Sequence, residues 1–211
     1  MRASAFSISR MRDTIDSDTR LALDLALTIR HDGHGGVADD LSDLAGLTAW
    51  VGEHAEALPD APDLVLDESA LAAVRDLRAA VRALFARAVR PGAPSPADAA
   101  RLLPVPEALD RLNTAAARTP TVPVLRWTDD AEPAAHRRPA APATDLTAVL
   151  AHAAIAFLSG ADRRRLRACH APRCVRYFLK EHPRQEWCKP SCGNRARVAR
   201  HHERHKQGQS T

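Results

Sequence analysis

Apolar residues recur at helical spacing in several stretches of the chain, with polar residues between them. The clearest stretch follows Asp67, an N-cap, and carries Leu71, Val74, Leu77, Val81, Leu84, Phe85 and Ala88. Arg75, Arg78 and Arg82 fall on its other, polar side. A second predicted helix has Thr144 as its cap and Leu146, Val149, Leu150, Ala153, Ala154, Phe157 and Leu158 as its apolar stripe. Gly160 stands where a C-terminal cap belongs. A third begins after Ser42 and runs to about residue 58, ahead of Pro59, with Leu44, Leu47, Val51 and Ala55 on the buried side. Residues 97–117 form a proline-interrupted helical stretch.

Two segments have a different period. Leu21, Leu23, Leu25, Leu27 and Ile29 alternate, which favours a strand, although the alanines between them also suit a helix. A short strand is expected over residues 121–130, around Val122, Val124, Leu125 and Trp127, with Asp129 and Asp130 as its turn. Residues 31–36 and 91–96 are glycine- or proline-rich breaks, residues 132–142 a proline-rich loop, and residues 1–18 a loosely held arm. The expected fold is mainly α with a small β component, an α+β chain. A helical body (1–160) precedes a compact C-terminal module (161–211).

Composition changes this picture little. The chain has 211 residues, 45% hydrophobic and 27% charged, enough for a medium domain plus a small module. No apolar run approaches the ~18–20 residues of a membrane span, and the N-terminus lacks the apolar core of a secretory signal. A cytoplasmic location is expected. The charge distribution is more informative. Residues 161–211 hold 14 Lys/Arg against 4 Asp/Glu, a net of +10, while residues 1–160 hold 16 against 22, a net of −6. A basic module on an acidic body points to a polyanionic partner, the alternative being a merely solvated basic surface.

All four cysteines lie in that module, as Cys169-x4-Cys174-x13-Cys188-x3-Cys192. Two close pairs around a short insert form the pattern of a four-thiolate structural zinc site, each pair wrapping one side of a tetrahedral ion. About fifty residues bury too little surface to fold well alone, and metal binding supplies free energy of order 10 kcal/mol. The alternatives are two disulfides, a redox pair, an iron–sulfur cluster, a catalytic zinc, or replacement of one cysteine by His170, His201, His202 or His205. A reducing cytosol and the absence of Cys-x-x-Cys weigh against the first two.

Tyr177, Phe178 and Trp187 are expected in a small β-hairpin between the cysteine pairs, packing beneath the metal; base stacking by Tyr177 or Trp187 is the rival role. Residues 193–206 are unbroken and predict a helix, which makes the module a treble-clef-like finger. Arg197, Arg200 and Arg204 share one face of that helix, while Val198 and Ala199 can turn toward the hairpin with His202 beside them. Arg195 lies in the first turn, where free N–H groups favour an anion. Arg163, Arg164 and Arg165, with Arg167, add a second basic cluster. Together these residues form a candidate phosphate-binding surface.

Trp187, Cys188, Cys192, Gly193, Asn194 and Arg195, with the upstream Cys169, Cys174, Tyr177 and Phe178, resemble the signature of the CGNR zinc-finger family. Residues 21–28 and 41–50 resemble the ABATE domain that accompanies this finger. The resemblance implies a stress-related transcription regulator, one structural Zn2+ held by the four cysteines, and DNA as partner. Within the signature, Gly193 would permit a tight turn, Asn194 would hold a neighbouring loop, and Arg195 would reach phosphate or brace the finger. Residues 180–186 depart from the family pattern, with Glu181, Glu186 and Pro183 where a polar turn is usual.

The expected function is therefore DNA-binding transcription regulation, with the body sensing a small-molecule effector or forming a homodimer. A zinc-dependent protein- or RNA-interaction module is the alternative. No P-loop or dinucleotide fingerprint is present, and His31, His34, His54 and Asp24 are scattered without catalytic spacing, so no enzyme and no catalytic residue are expected.

Overall fold

The computed structural model describes residues 16–32, 34, 36–58, 64–98, 102–140 and 145–208. The expected arm up to residue 15, Pro59 and Thr144 lie outside the described residues.

The alternating leucines form a helix, α1 (Ser17–Leu27), not a strand. Asp16 caps it by accepting a hydrogen bond from the Thr19 backbone N–H at 2.7 Å. Leu21, Ala22, Leu23, Leu25 and Ala26 are all buried. The uncovered side is a narrow stripe of Ser17, Arg20 and Asp24, too thin for the 3.6-residue period to dominate, and the leucine alternation stands out instead.

The glycine-rich break is the turn of a hairpin. β1 (Ile29–His31) pairs antiparallel with β2 (Val37–Asp39), Ile29 opposite Asp39. Asp32 Oδ1 closes the turn by accepting from the N–H groups of His34 and Gly36 at 2.7 and 3.0 Å. In α2 (Leu44–Glu53) the cap is Asp43, which accepts from the Gly46 N–H at 2.8 Å, not Ser42. A Cβ at residue 46 would run into the carbonyl oxygen of Asp40, so glycine is required there. The helix stops at Glu53. Trp50 is buried beside Leu47 and Val51, whereas Ala55 is exposed.

The next helix, α3 (Glu68–Ala88), has Asp67 as its cap and buries the expected stripe. Two of the arginines assigned to its polar side are nevertheless buried: Arg78 is 7% exposed and Arg82 4%. Arg78 makes a bidentate ion pair with Asp39 at 2.5 and 2.7 Å, and Arg82 binds Asp98 at 2.7 Å. Each guanidinium is covered by a segment that supplies its carboxylate.

The helical stretch expected from residue 97 is shorter, α4 (Val105–Ala117). β3 (Thr121–Arg126) is found as expected, but the proline-rich segment after it is its partner, β4 (Ala134–Pro139), not a loop. Pro133 precedes β4 and Pro139 ends it, which leaves its ladder intact. Asp145 caps α5 (Leu146–Ser159) by accepting from the Ala148 N–H at 2.9 Å, and the Gly160 N–H bonds the Ala156 carbonyl at 2.9 Å. α1, α3, α4 and α5 enclose one core, with Phe85 and Phe157 edge to face at 5.2 Å. Among the described residues no helix is long and apolar enough to cross a membrane.

Candidate metal centre

A short 3-10 helix, Ala161–Arg165, leads into β5 (Leu166–Ala168), which pairs antiparallel with β6 (Tyr177–Leu179). The first cysteine pair is the connection between these strands. The hairpin therefore flanks Cys169 and Cys174 instead of lying between the two pairs, because β5 supplies the partner that Trp187 was expected to provide. The knuckle is closed by Cys169 N–H to the Arg176 carbonyl and Cys174 N–H to the Ala171 carbonyl, both 2.9 Å. Arg173 has a positive φ of 61°, the left-handed conformation that bends the chain back. Residues 180–186 form a loop, tied by the Glu181 N–H donating to Gln185 Oε1 at 2.7 Å. The second pair is delivered by α6 (Pro190–Gly208): Cys188 just ahead of it and Cys192 in its first turn.

The four sulfurs lie within 4.8 Å of one another. Cys174 and Cys188 are 3.7 Å apart, Cys188 and Cys192 3.5 Å. A tetrahedron with Zn–S of about 2.3 Å has edges of about 3.8 Å, so the cluster has the size of a four-thiolate zinc shell. Hydrogen bonds from Cys174 and Cys188 push the Cys169 thiol well below its ordinary range. The bond to Cys169 pushes Cys174 up to about 11, and bonds to Cys169 and Cys174 push Cys188 up as well. Sulfurs this close do not ionise together unaided, whereas a divalent ion deprotonates its coordinating thiols outright. No histidine joins the cluster among the described residues.

Neighbouring residues brace this centre. Ala171 and Phe178 pack with the cysteines, and Trp187 lies partly buried against them. Arg195 donates through Nε to the Pro172 carbonyl and through Nη2 to Cys192 Sγ, both at 3.1 Å. Gly193 is inside the first turn of α6, not in a tight turn; a Cβ there would stand 3.1 Å from Trp187 Cδ1. Asn194 is exposed and accepts from Arg197 on its own helix rather than holding a neighbouring loop.

Tyr177 does not pack beneath the four sulfurs. Strand alternation sends Phe178 to the cysteines and Tyr177 into the core of the body, where it is fully buried. Its ring meets Phe85 edge to face at 5.5 Å. Its hydroxyl donates to Asp98 Oδ2 at 2.7 Å and accepts from the Ser95 N–H at 3.3 Å. Burial, then the Asp98 charge, pushes its pKa up. Ser95 Oγ donates to the Val175 carbonyl at 2.8 Å. The finger is thus bolted to the body through buried polar bonds, and Tyr177 is inaccessible to a base.

The expected basic face is exposed: Arg197, Arg200 and Arg204, with Val198 and His201, line one shallow concavity along α6. Val198 is 57% exposed on this face; Ala196, at 5%, is the residue that turns inward, and His202 is exposed. Arg163 and Arg164 are exposed outside that concavity, and Arg165 is tied to Asp162 at 2.8 Å. Two groupings lay hidden in the sequence. His54 Nε2 and Asp24 Oδ2 meet at 3.1 Å, with Trp50 stacked on the imidazole at 4.1 Å. Arg30 and His31 of β1 join Arg173, Arg176, Lys189 and Arg195 around a second cavity. Only the flanking of cysteines by Arg173 and Lys189 hinted at this convergence.

Two family models match the chain. That of the ABATE domain, described as "Putative stress-induced transcription regulator", covers residues 19–161, and that of the CGNR zinc finger covers residues 165–205. No curated protein matches.

Proposed function

We propose that this chain, which belongs to the ABATE family and carries a CGNR zinc finger, is a DNA-binding transcription regulator that engages the duplex with α6. One observation carries the proposal. Between Arg197 and His205 only Ala199 is even half-buried, so this half of α6 projects from the finger. Arg197, Arg200 and Arg204 stand on that projection against a single acid, Glu203. At about 1.5 Å per residue the projecting helix is long enough to enter a major groove about 12 Å wide. One structural zinc on the four thiolates would fix the root of α6, and Arg195 would offset the thiolate charge beside Cys192. The body would sense an effector or form a homodimer, since two half-sites would raise the avidity of a lone finger.

The test is duplex binding by an Arg197→Ala, Arg200→Ala, Arg204→Ala variant with full zinc content. Loss of affinity is expected, together with a shallower salt dependence, by about 0.9 in log–log slope for each phosphate contact removed. Unchanged affinity and slope would remove α6 from the interface. A protein captured equally well after nuclease treatment, with no duplex binding, would favour the interaction-module alternative.

A further inference from the structure

The second cavity lies where the body meets the finger, and its volume is about 390 Å³. Arg30 and His31 reach it from β1, Arg173 and Arg176 from the knuckle, and Lys189 and Arg195 from the start of α6. No carboxylate lines it. Three of these side chains are already engaged, His31 among them through Asp32 at 3.9 Å. Arg30 Nε binds Asp40 Oδ1 at 2.5 Å, and Arg195 is held by the Pro172 carbonyl and Cys192 Sγ. The side chains of Arg173, Arg176 and Lys189 have no hydrogen-bond or ion-pair partner among the described residues. All three are anchored next to the cysteine framework: Arg173 precedes Cys174, Arg176 opens into β6, and Lys189 follows Cys188.

We propose that this cavity binds a small phosphorylated anion, with Arg173, Arg176 and Lys189 as its phosphate ligands. Two guanidinium forks and an ammonium match a multiply charged oxyanion better than a single carboxylate. The volume lies within the range of small-molecule sites and exceeds that of a phosphate group alone, leaving room for an attached organic moiety. The site is a recess where β1, the knuckle and the start of α6 meet, whereas the shallow concavity of Arg197, Arg200 and Arg204 is lined by α6 alone. Arg30 and His31 of β1 line the same cavity from the body, so an anion held by the three finger cations lies against the body and gives it a route to the finger. The inference goes beyond DNA binding and does not depend on it.

The first experiment is isothermal titration of the zinc-loaded full chain with pyrophosphate as the probe. Saturable one-to-one binding is expected. An Arg173→Asn, Lys189→Gln variant, with asparagine chosen because it tolerates the left-handed backbone, should bind at least ten-fold more weakly at unchanged zinc content. An Arg87→Gln, Arg126→Gln variant, equally reduced in charge at exposed positions of the body outside the cavity, should stay within two-fold of the parent. No saturable binding, or equal losses in both variants, would overturn the proposal. A second arm distinguishes a free phosphate from a DNA backbone phosphate. Saturable pyrophosphate binding that the cavity variant loses while keeping its duplex affinity supports the free ligand. Loss of duplex binding in that variant, with no saturable pyrophosphate binding by the parent, assigns these cations to DNA and overturns it.

Discussion

Tyr177 is the only tyrosine in the chain, so its phenolate absorbance reports on one site. Its pKa is raised in the folded state by burial and by Asp98. The resulting stability is complete below the unfolded value of about 10 and is lost as pH rises past it, because the unfolded chain then releases a proton that the folded chain keeps. No phenolate should therefore appear near pH 10 while the far-ultraviolet spectrum stays native; it should emerge only with unfolding. A phenolate titrating at about pH 10 in the folded chain would contradict the buried placement. At this scale the four cysteines were legible, because thiolate spacing is itself metal chemistry. The burial of Arg78 and Arg82 was not. Their carboxylates lie 39 and 16 positions away, and only the packing of β2 and of residues 95–98 against α3 brings them together.

Among the elements, α3 is the hub. Arg82 reaches from it to the Ala26 carbonyl of α1, to Asp98, and to the finger segment at Val175. An Arg82→Met variant leaves Asp98 buried without its cation, which should cost about 3–5 kcal/mol, read as a lower midpoint in urea. A loss below about 1 kcal/mol would contradict Arg82 as the cation on which buried Asp98 depends. Helices with one wet side, such as α3, could be read from their period. α1 could not, because it is buried on most sides, and β4 could not, because its prolines resemble loop composition although they sit at strand ends. The caps moved by one residue in α2, from Ser42 to Asp43, since serine and aspartate are both good caps and only the backbone hydrogen bond decides between them.

Across the whole molecule, the division into a body and a separate basic module describes charge but not packing. Tyr177, Leu166 and Leu179 of the finger lie in the same core as Phe85 and Phe157. Removing zinc should therefore destabilise the entire chain. A strong chelator is expected to lower the melting temperature of a single cooperative transition, the ion contributing of order 10 kcal/mol in small fingers. A body that melts at an unchanged temperature after complete zinc removal would show the two parts to be energetically separate. The sequence alone could not reveal this joint, because the residues that form it, Tyr177, Ser95, Asp98 and Arg82, are up to 95 positions apart and none belongs to the cysteine pattern.

The most direct measurement is a titration of the zinc-loaded full chain against a labelled random duplex at several salt concentrations. Binding is expected at low salt, its log affinity falling linearly with log salt with a slope of about −0.9 per phosphate contact. No binding even at the lowest salt would contradict DNA as the partner of α6.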